Sequence, residues 1–224
     1  MSEQAGDAPA VSADVLPTEL QDGYREFRLL RHTAVRDRYR KLADAGQTPS
    51  TMVIACCDSR AAPETIFDAG PGEIFVVRNV ANLVPPYEPD GSYHSTSAAL
   101  EFAVQSLKVK HILVLGHGRC GGVSAALHPS EEPLSPGDFI GKWMDLLAPA
   151  AKTIAGNEWM TDAEQQTALE RISIRHSIEN LRTFPCVQIL ERKNRLSIHG
   201  AWFDISSGEL WTMNPATGDF SLYE

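Results

Sequence analysis

Thr51-Met52-Val53-Ile54-Ala55 runs without interruption into Cys56-Cys57-Asp58-Ser59-Arg60. A short apolar run with no polar alternation suits a strand buried on both faces, as in a parallel sheet. Two further runs share that character, residues 74–77 and 111–115, and the last leads straight into Gly116-His117-Gly118-Arg119-Cys120-Gly121-Gly122. Between them residues 95–107 carry Ala99, Phe102, Ala103 and Leu107 at helical spacing, and residues 121–127 open another helix. Strands alternating with helices predict an α/β fold, with a central, mainly parallel β-sheet flanked by helices.

Working outward, Thr18 reads as an N-cap with Gln21 closing a capping box, followed by Leu20, Tyr24, Phe27 and Leu30 at helical spacing. A second helical pattern covers residues 35–45 and stops at Gly46. Both are rich in Arg and poor in apolar residues, which is thin for a core pair and suits packing on a partner subunit as well as on the same domain. The expected organisation is a loose arm at 1–16 and one α/β domain over 17–224, with 17–46 as a helical arm on the partner. Downstream, residues 129–137 read as a loop. Residues 138–151 and 161–181 read as helices, the second opened by a Thr161–Glu164 capping box. Residues 195–204 and 210–214 read as strands around a Ser207-Gly208 turn, a hairpin-like end.

The 224 residues are 43% apolar and 22% charged, ordinary for a globular chain. Lys and Arg number 20 against 29 Asp and Glu, a net charge of −9, with no basic cluster to neutralise phosphates, so nucleic acid is not an expected partner. No apolar run is long enough to span a bilayer, so no membrane partner is expected. Residues 1–10 lack the basic start and apolar stretch of a secretory signal, which predicts a cytoplasmic location. In that setting Cys56, Cys57, Cys120 and Cys186 are expected as ligands, nucleophiles or core residues rather than disulfides.

In an open parallel sheet, ligands sit beyond the carboxyl ends of the strands. The segments after Ala55 and Leu115 should therefore share one edge, bringing together thiols, an imidazole, a carboxylate and a guanidinium. Cys56, His117 and Cys120 form a soft sulfur–nitrogen set that favours zinc, with a fourth position for water or for Asp58. Cys120 opens a helix, whose N–H groups lower a thiol's pKa. Taken singly, Cys56 also reads as a small core residue, His117 as a loop histidine and Asp58–Arg60 as a surface ion pair. A structural zinc site normally shows paired cysteine knuckles, which are missing. A phosphatase loop needs Arg six positions after its Cys, where this chain has Ala62 or Pro63.

Cys56-Cys57-Asp58-Ser59-Arg60 with His117-Gly118-Arg119-Cys120-Gly121-Gly122 resembles the signature of the β-class carbonic anhydrases. Residues 72–82 and 91–104 resemble that family too, and the likeness covers residues 18–213. The resemblance implies one Zn2+ per chain on Cys56, His117 and Cys120, with Asp58 and Arg60 as a catalytic dyad. It further implies substrate contacts from Gln47, Gly121, Phe75, Val80 and Phe102, the last standing where plant-type members carry Tyr. Cys57 falls at a variable, non-ligand position. Val53, where a second subgroup has Trp, favours with Gln47 the plant-type arrangement with an open zinc position. Arg78 matches an arginine of that subgroup's bicarbonate site but is also a framework residue.

The implied activity is reversible hydration of CO2 to bicarbonate and a proton through hydroxide generated at zinc, by a dimer or tetramer of this chain. Two alternatives are a hydrolase of carbonyl sulfide or carbon disulfide on the same scaffold, and a zinc-binding subunit without turnover. A structural zinc site has no need of the Asp58–Arg60 pair, which weighs against the latter.

Overall fold

The three apolar runs become parallel strands: β1 (Thr51–Cys56), β2 (Ile74–Asn79) and β3 (His111–His117). They belong to a computed structural model that describes residues 16–89, 94–130 and 132–224, so most of the expected arm at 1–16 lies outside the described residues. A fourth parallel strand, β4 (Ser197–Phe203), and two antiparallel ones, β5 (Leu210–Met213) and β6 (Phe220–Leu222), complete the order β2-β1-β3-β4-β5-β6. β1 has a parallel neighbour on each side, and Met52 through Cys56 are all buried. The register sets Cys56 beside Asn79 and Ala55 beside Leu115, so the segments after β1, β2 and β3 emerge at one edge.

Side chains alternate across the sheet. Met52, Ile54, Ile112, Val114 and Ile198 face one way, packed with Leu100, Val104, Ile174, Ile178 and Val187. Val53, Ala55, Leu115 and Ala201 face the other. A third cluster unites Cys56, Ala81, Cys120, Val123, Leu147 and Leu169 beside the carboxyl edge.

The helix that organises this edge is α8 (Asp162–Leu181), opened by the expected capping box, with Glu164 N–H donating to Thr161 Oγ1 and Thr161 N–H to Glu164 Oε2. It lies close to β3 and β4 because Gly116 and Gly200 leave room: a Cβ on Gly116 would stand 2.7 Å from Ile174 Cδ1. Its polar stripe grips the turn after β2. Asn82 Nδ2 donates to Ser173 Oγ, Ser177 Oγ to the Asn82 carbonyl and Asn180 Nδ2 to the Val84 carbonyl. Ala81 and Asn82 have φ of 62° and 50°, a left-handed pair that costs free energy for residues with a Cβ and persists because α8 fixes it.

The described residues divide into two compact units, 16–46 and those from 47 onward. In the first, α1 (Thr18–Glu26) and α2 (His32–Ala45) are joined by a π turn at Phe27–Arg31 and ended by Gly46 at φ 78°. Nothing between them breaks the helix, so the two expected helices are one helical run. The expected Thr18–Gln21 box does not form: Pro17 takes the cap position and Gln21 Nε2 donates instead to the Leu16 carbonyl.

Other differences have similarly local causes. The helix α4 (Ser95–Glu101) passes into a π turn at Phe102–Leu107 that rotates the buried stripe onto Thr96, Leu100, Ala103 and Val104, leaving Phe102 exposed. Pro149 divides the expected 138–151 helix into α6 (Phe139–Met144), a 3-10 turn and α7 (Ala148–Ala155), since proline cannot continue an N–H ladder. Three short elements were not anticipated: α3 (Pro63–Ile66), α9 (Pro185–Arg192) and β6. The helix α5 (Gly121–Leu127) has the expected bounds. Trp159 is almost fully exposed.

The close approach of α8 yields a prediction. Gly116→Ala should destabilise the protein by about 1–3 kcal/mol through overpacking against Ile174. Combining it with Ile174→Ala should cost less than the sum of the single changes in urea denaturation.

Candidate metal centre

β1 ends on Cys56 and β3 on His117, and a two-residue turn carries the chain to Cys120 at the cap of α5. Gly118 N–H donates to the Phe203 carbonyl and Arg119 sits at φ 57°, which folds the turn back over the sheet edge. The Cys56 and Cys120 sulfurs are 3.8 Å apart, and with the His117 ring the donor atoms all lie within 4.8 Å of one another. All three residues are buried.

The imidazole is oriented for a metal. His117 Nδ1 lies 2.9 Å from the Gly118 carbonyl, an acceptor only, so Nδ1 carries the proton and Nε2 presents a lone pair. That Nε2 is buried and has no hydrogen-bond partner among the described residues. Sulfur ligands about 2.3 Å from a tetrahedral centre stand about 3.8 Å from each other, the separation the cysteines show. Zinc fits this set.

The two sulfurs shift each other in opposite directions. Cys120 beside it holds Cys56 down to about 4, against burial, and the N–H groups of Asp58 and Ala81 add to this. The Cys56 thiolate and burial push Cys120 up, while the N–H groups of Val123 and Gly122 at the start of α5 pull it down. The helix-terminal effect expected from sequence is present there, outweighed by the neighbouring sulfur.

Asp58 and Arg60 are brought to this centre. Arg60 Nε donates to Asp58 Oδ1 at 2.9 Å and Arg60 NH2 to Oδ2 at 2.7 Å, a bidentate pair, and the Arg60 N–H adds a third bond to Oδ1. The guanidinium also donates to the Arg119 carbonyl, tying the two motif segments together. Arg60 keeps the Asp58 carboxyl well below the usual carboxylate range. Asp58 Oδ2 is 3.9 Å from His117 Nε2.

The remaining sequence candidates separate. Gly121 is the first residue of α5, with open space where a Cβ would stand. Val80 packs against Gly122 and so borders the centre. Phe75 and Phe102 meet each other, ring centroids 5.9 Å apart, but Phe75 pairs with Met52. Four residues of strand put Met52 about 13 Å before Cys56, so in one chain these two rings do not line the centre. Gln47 is exposed at the start of the second unit. Cys57 is exposed and lies outside the donor set.

Two further residues support the centre: Arg78, read from sequence as a framework residue, and Glu170, which the sequence reading missed. Arg78 Nε and NH2 donate to the carbonyls of Cys56 and Asp58 at 2.7 and 2.6 Å, holding the strand-end turn. Glu170, 2% exposed, accepts the Cys120 N–H. Its signal was a carboxylate beside Leu169 on the inward stripe of α8, since Glu is almost never fully buried without partners.

A family model described as carbonic anhydrase matches residues 51–210. The chain is 38% identical over 203 residues to β carbonic anhydrase 5, chloroplastic, of Arabidopsis thaliana, covering 88% of this chain and 65% of that protein's length. The structure of the β-carbonic anhydrase CcaA superposes with a TM-score of 0.83 at 27% identity, covering 92% of this chain and 91% of that one. One of two tetrameric β-carbonic anhydrases from Sordaria macrospora superposes at 0.67 with 28% identity, covering 91% and 94%. The matched strands are those that carry Cys56, His117 and Cys120 to one edge, and the chain belongs to the β-class carbonic anhydrases.

Proposed function

We propose that the protein catalyses the reversible hydration of CO2 to bicarbonate and a proton, with one zinc ion held by Cys56, His117 and Cys120. The observation that carries the reading is the buried, unpartnered His117 Nε2 facing two cysteine sulfurs beside an Asp–Arg pair. Zinc bound there supplies Lewis acidity that makes water acidic enough to be a nucleophile near neutral pH.

The chain's own groups do the rest. Both Asp58 oxygens are engaged by Arg60, which would hold the carboxylate back from serving as a ligand to the zinc. An ionised Asp58 can only accept, so it takes a hydrogen bond from the nucleophile's O–H and aims a lone pair at the carbon. Gly121, with no side chain, offers its N–H to a substrate oxygen. Val80 supplies an apolar wall that CO2 tolerates and a charged competitor does not.

The helical unit supports a homo-oligomer. Neither α1 nor α2 has a buried residue, and Leu20, Tyr24, Leu29 and Leu30 are exposed. Apolar side chains in such number seek a partner, and tetrameric relatives make a second copy of this chain the natural one. Phe75 and Phe102 would then reach a substrate pocket only across a contact between copies.

Stopped-flow CO2 hydration on protein of measured zinc content tests the function. Turnover with about one zinc per chain, lost in Cys120→Ser, is expected. Zinc without CO2 turnover would transfer the assignment to hydrolysis of carbonyl sulfide or carbon disulfide, or, if those too are not turned over, to a zinc-binding subunit without turnover.

Asp58→Asn and Arg60→Ala should each lower kcat/KM on the order of 100-fold. The double variant should be little worse than either, and additive losses would remove the dyad. The wild-type rate should rise from pH 6 to 9. Asp58 is held low by Arg60 and stays ionised throughout, so the rise is not its titration. A flat profile would count against the mechanism. Leu29→Asp with Leu30→Asp should lower the mass seen by analytical ultracentrifugation; an unchanged mass would discount the arm as an interface.

A further inference from the structure

Glu170 is the buried charged residue that the proposed chemistry leaves without a role. It lies in the third turn of α8, 2% exposed, beneath the turn that carries Cys120. Its carboxylate takes three hydrogen bonds. Oε1 accepts from Cys120 N–H at 2.9 Å and from Gln166 Nε2 at 3.0 Å, and Oε2 accepts from Trp202 Nε1 at 3.0 Å. Gln166 Nε2 also donates to the Cys120 carbonyl at 2.9 Å. The peptide groups on both sides of the Cys120 α-carbon are therefore held by one turn of α8.

The bracket is itself braced. Trp202 lies against Gly118, where a Cβ would come within 3.1 Å of its ring. On that ring sits the Arg171 guanidinium, 4.9 Å from the Trp202 centroid, 4.8 Å from Trp211 and 5.4 Å from Phe220. With a cation stacked between the two indoles, Trp202 is not free to swing its N–H away from Glu170.

We propose that Glu170 is a positioning residue for the metal ligand Cys120, acting through the backbone on both sides of the sulfur's own residue. It must be an acceptor on both oxygens, because each faces an N–H that cannot accept. The inference rests on the reading that Cys56, His117 and Cys120 hold zinc. It extends the support of a metal site from groups that touch the ligating atom to a carboxylate that touches only the ligand's main chain.

The donor pattern makes a specific prediction. In Glu170→Gln the side-chain oxygen can still accept from Cys120 and Gln166, but its NH2 then faces the Trp202 N–H, two donors with no acceptor between them. The bracket must give, and zinc affinity, measured by equilibrium competition with a chelator, should fall about 10–100-fold. Adding Trp202→Phe removes the opposing N–H, so Glu170→Gln with Trp202→Phe should hold zinc more tightly than Glu170→Gln alone. A carboxylate needed only for general packing gives no such rescue. Should Glu170→Gln not fold, Gln166→Ala, at a half-buried position, removes the bond to the Cys120 carbonyl and should weaken zinc to a lesser degree.

Wild-type affinity in Glu170→Gln, absence of rescue in the double variant, or unchanged affinity in Gln166→Ala overturns the positioning role. A wild-type chain that holds no zinc overturns the metal reading beneath it, and the two failures are told apart by measuring the wild type first.

Discussion

A neutral imidazole nitrogen buried without a hydrogen bond costs free energy that a folded chain does not retain without a compensating partner. His117 Nε2 is such an atom, and two cysteine sulfurs stand beside it at the spacing of a tetrahedral edge. The surrounding architecture follows from holding this set in place. Two parallel strands must end at one level to deliver Cys56 and His117. The turn must then close within two residues to return Cys120 beside them.

The sheet alone does not achieve that. Its strands deliver backbone to an edge, and turns at an edge are the part of a parallel sheet with the most freedom. Here each turn is tied. Arg78 holds the carbonyls on either side of Cys57, Arg60 bridges Asp58 to Arg119, and α8 holds the Cys120 peptide groups and the left-handed pair at Ala81 and Asn82. The same helix rests on the sheet through Gly116 and Gly200, so sheet packing and site geometry share one set of contacts.

The parts legible in the sequence were those with a short-range signal. Unbroken apolar runs marked β1, β2 and β3, and Thr161 with Glu164 marked the start of α8. The ligand residues and the Asp58–Arg60 pair stood in two local motifs, which the structure joins at one sheet edge. What stayed hidden depended on long-range placement. Arg78 was legible as a framework residue but not for what it holds, residues twenty positions away, and Glu170 acts on one fifty positions away; neither spacing leaves a pattern. Phe75 and Phe102 show the converse: the resemblance implies pocket residues, while strand register sets Phe75, and Phe102 against it, about four residues back from the metal edge of the same chain. The π turn at residue 102 and the proline at 149 shifted helix faces in ways that a uniform period of 3.6 residues does not anticipate.

X-ray absorption at the zinc edge on the full chain at neutral pH addresses the central claim most directly. The account predicts two sulfur ligands at about 2.3 Å, one imidazole nitrogen at about 2.0–2.1 Å and one further light atom. A shell without sulfur, or one with a single sulfur, would contradict it, because Cys56 and Cys120 would then not share the ion that His117 faces.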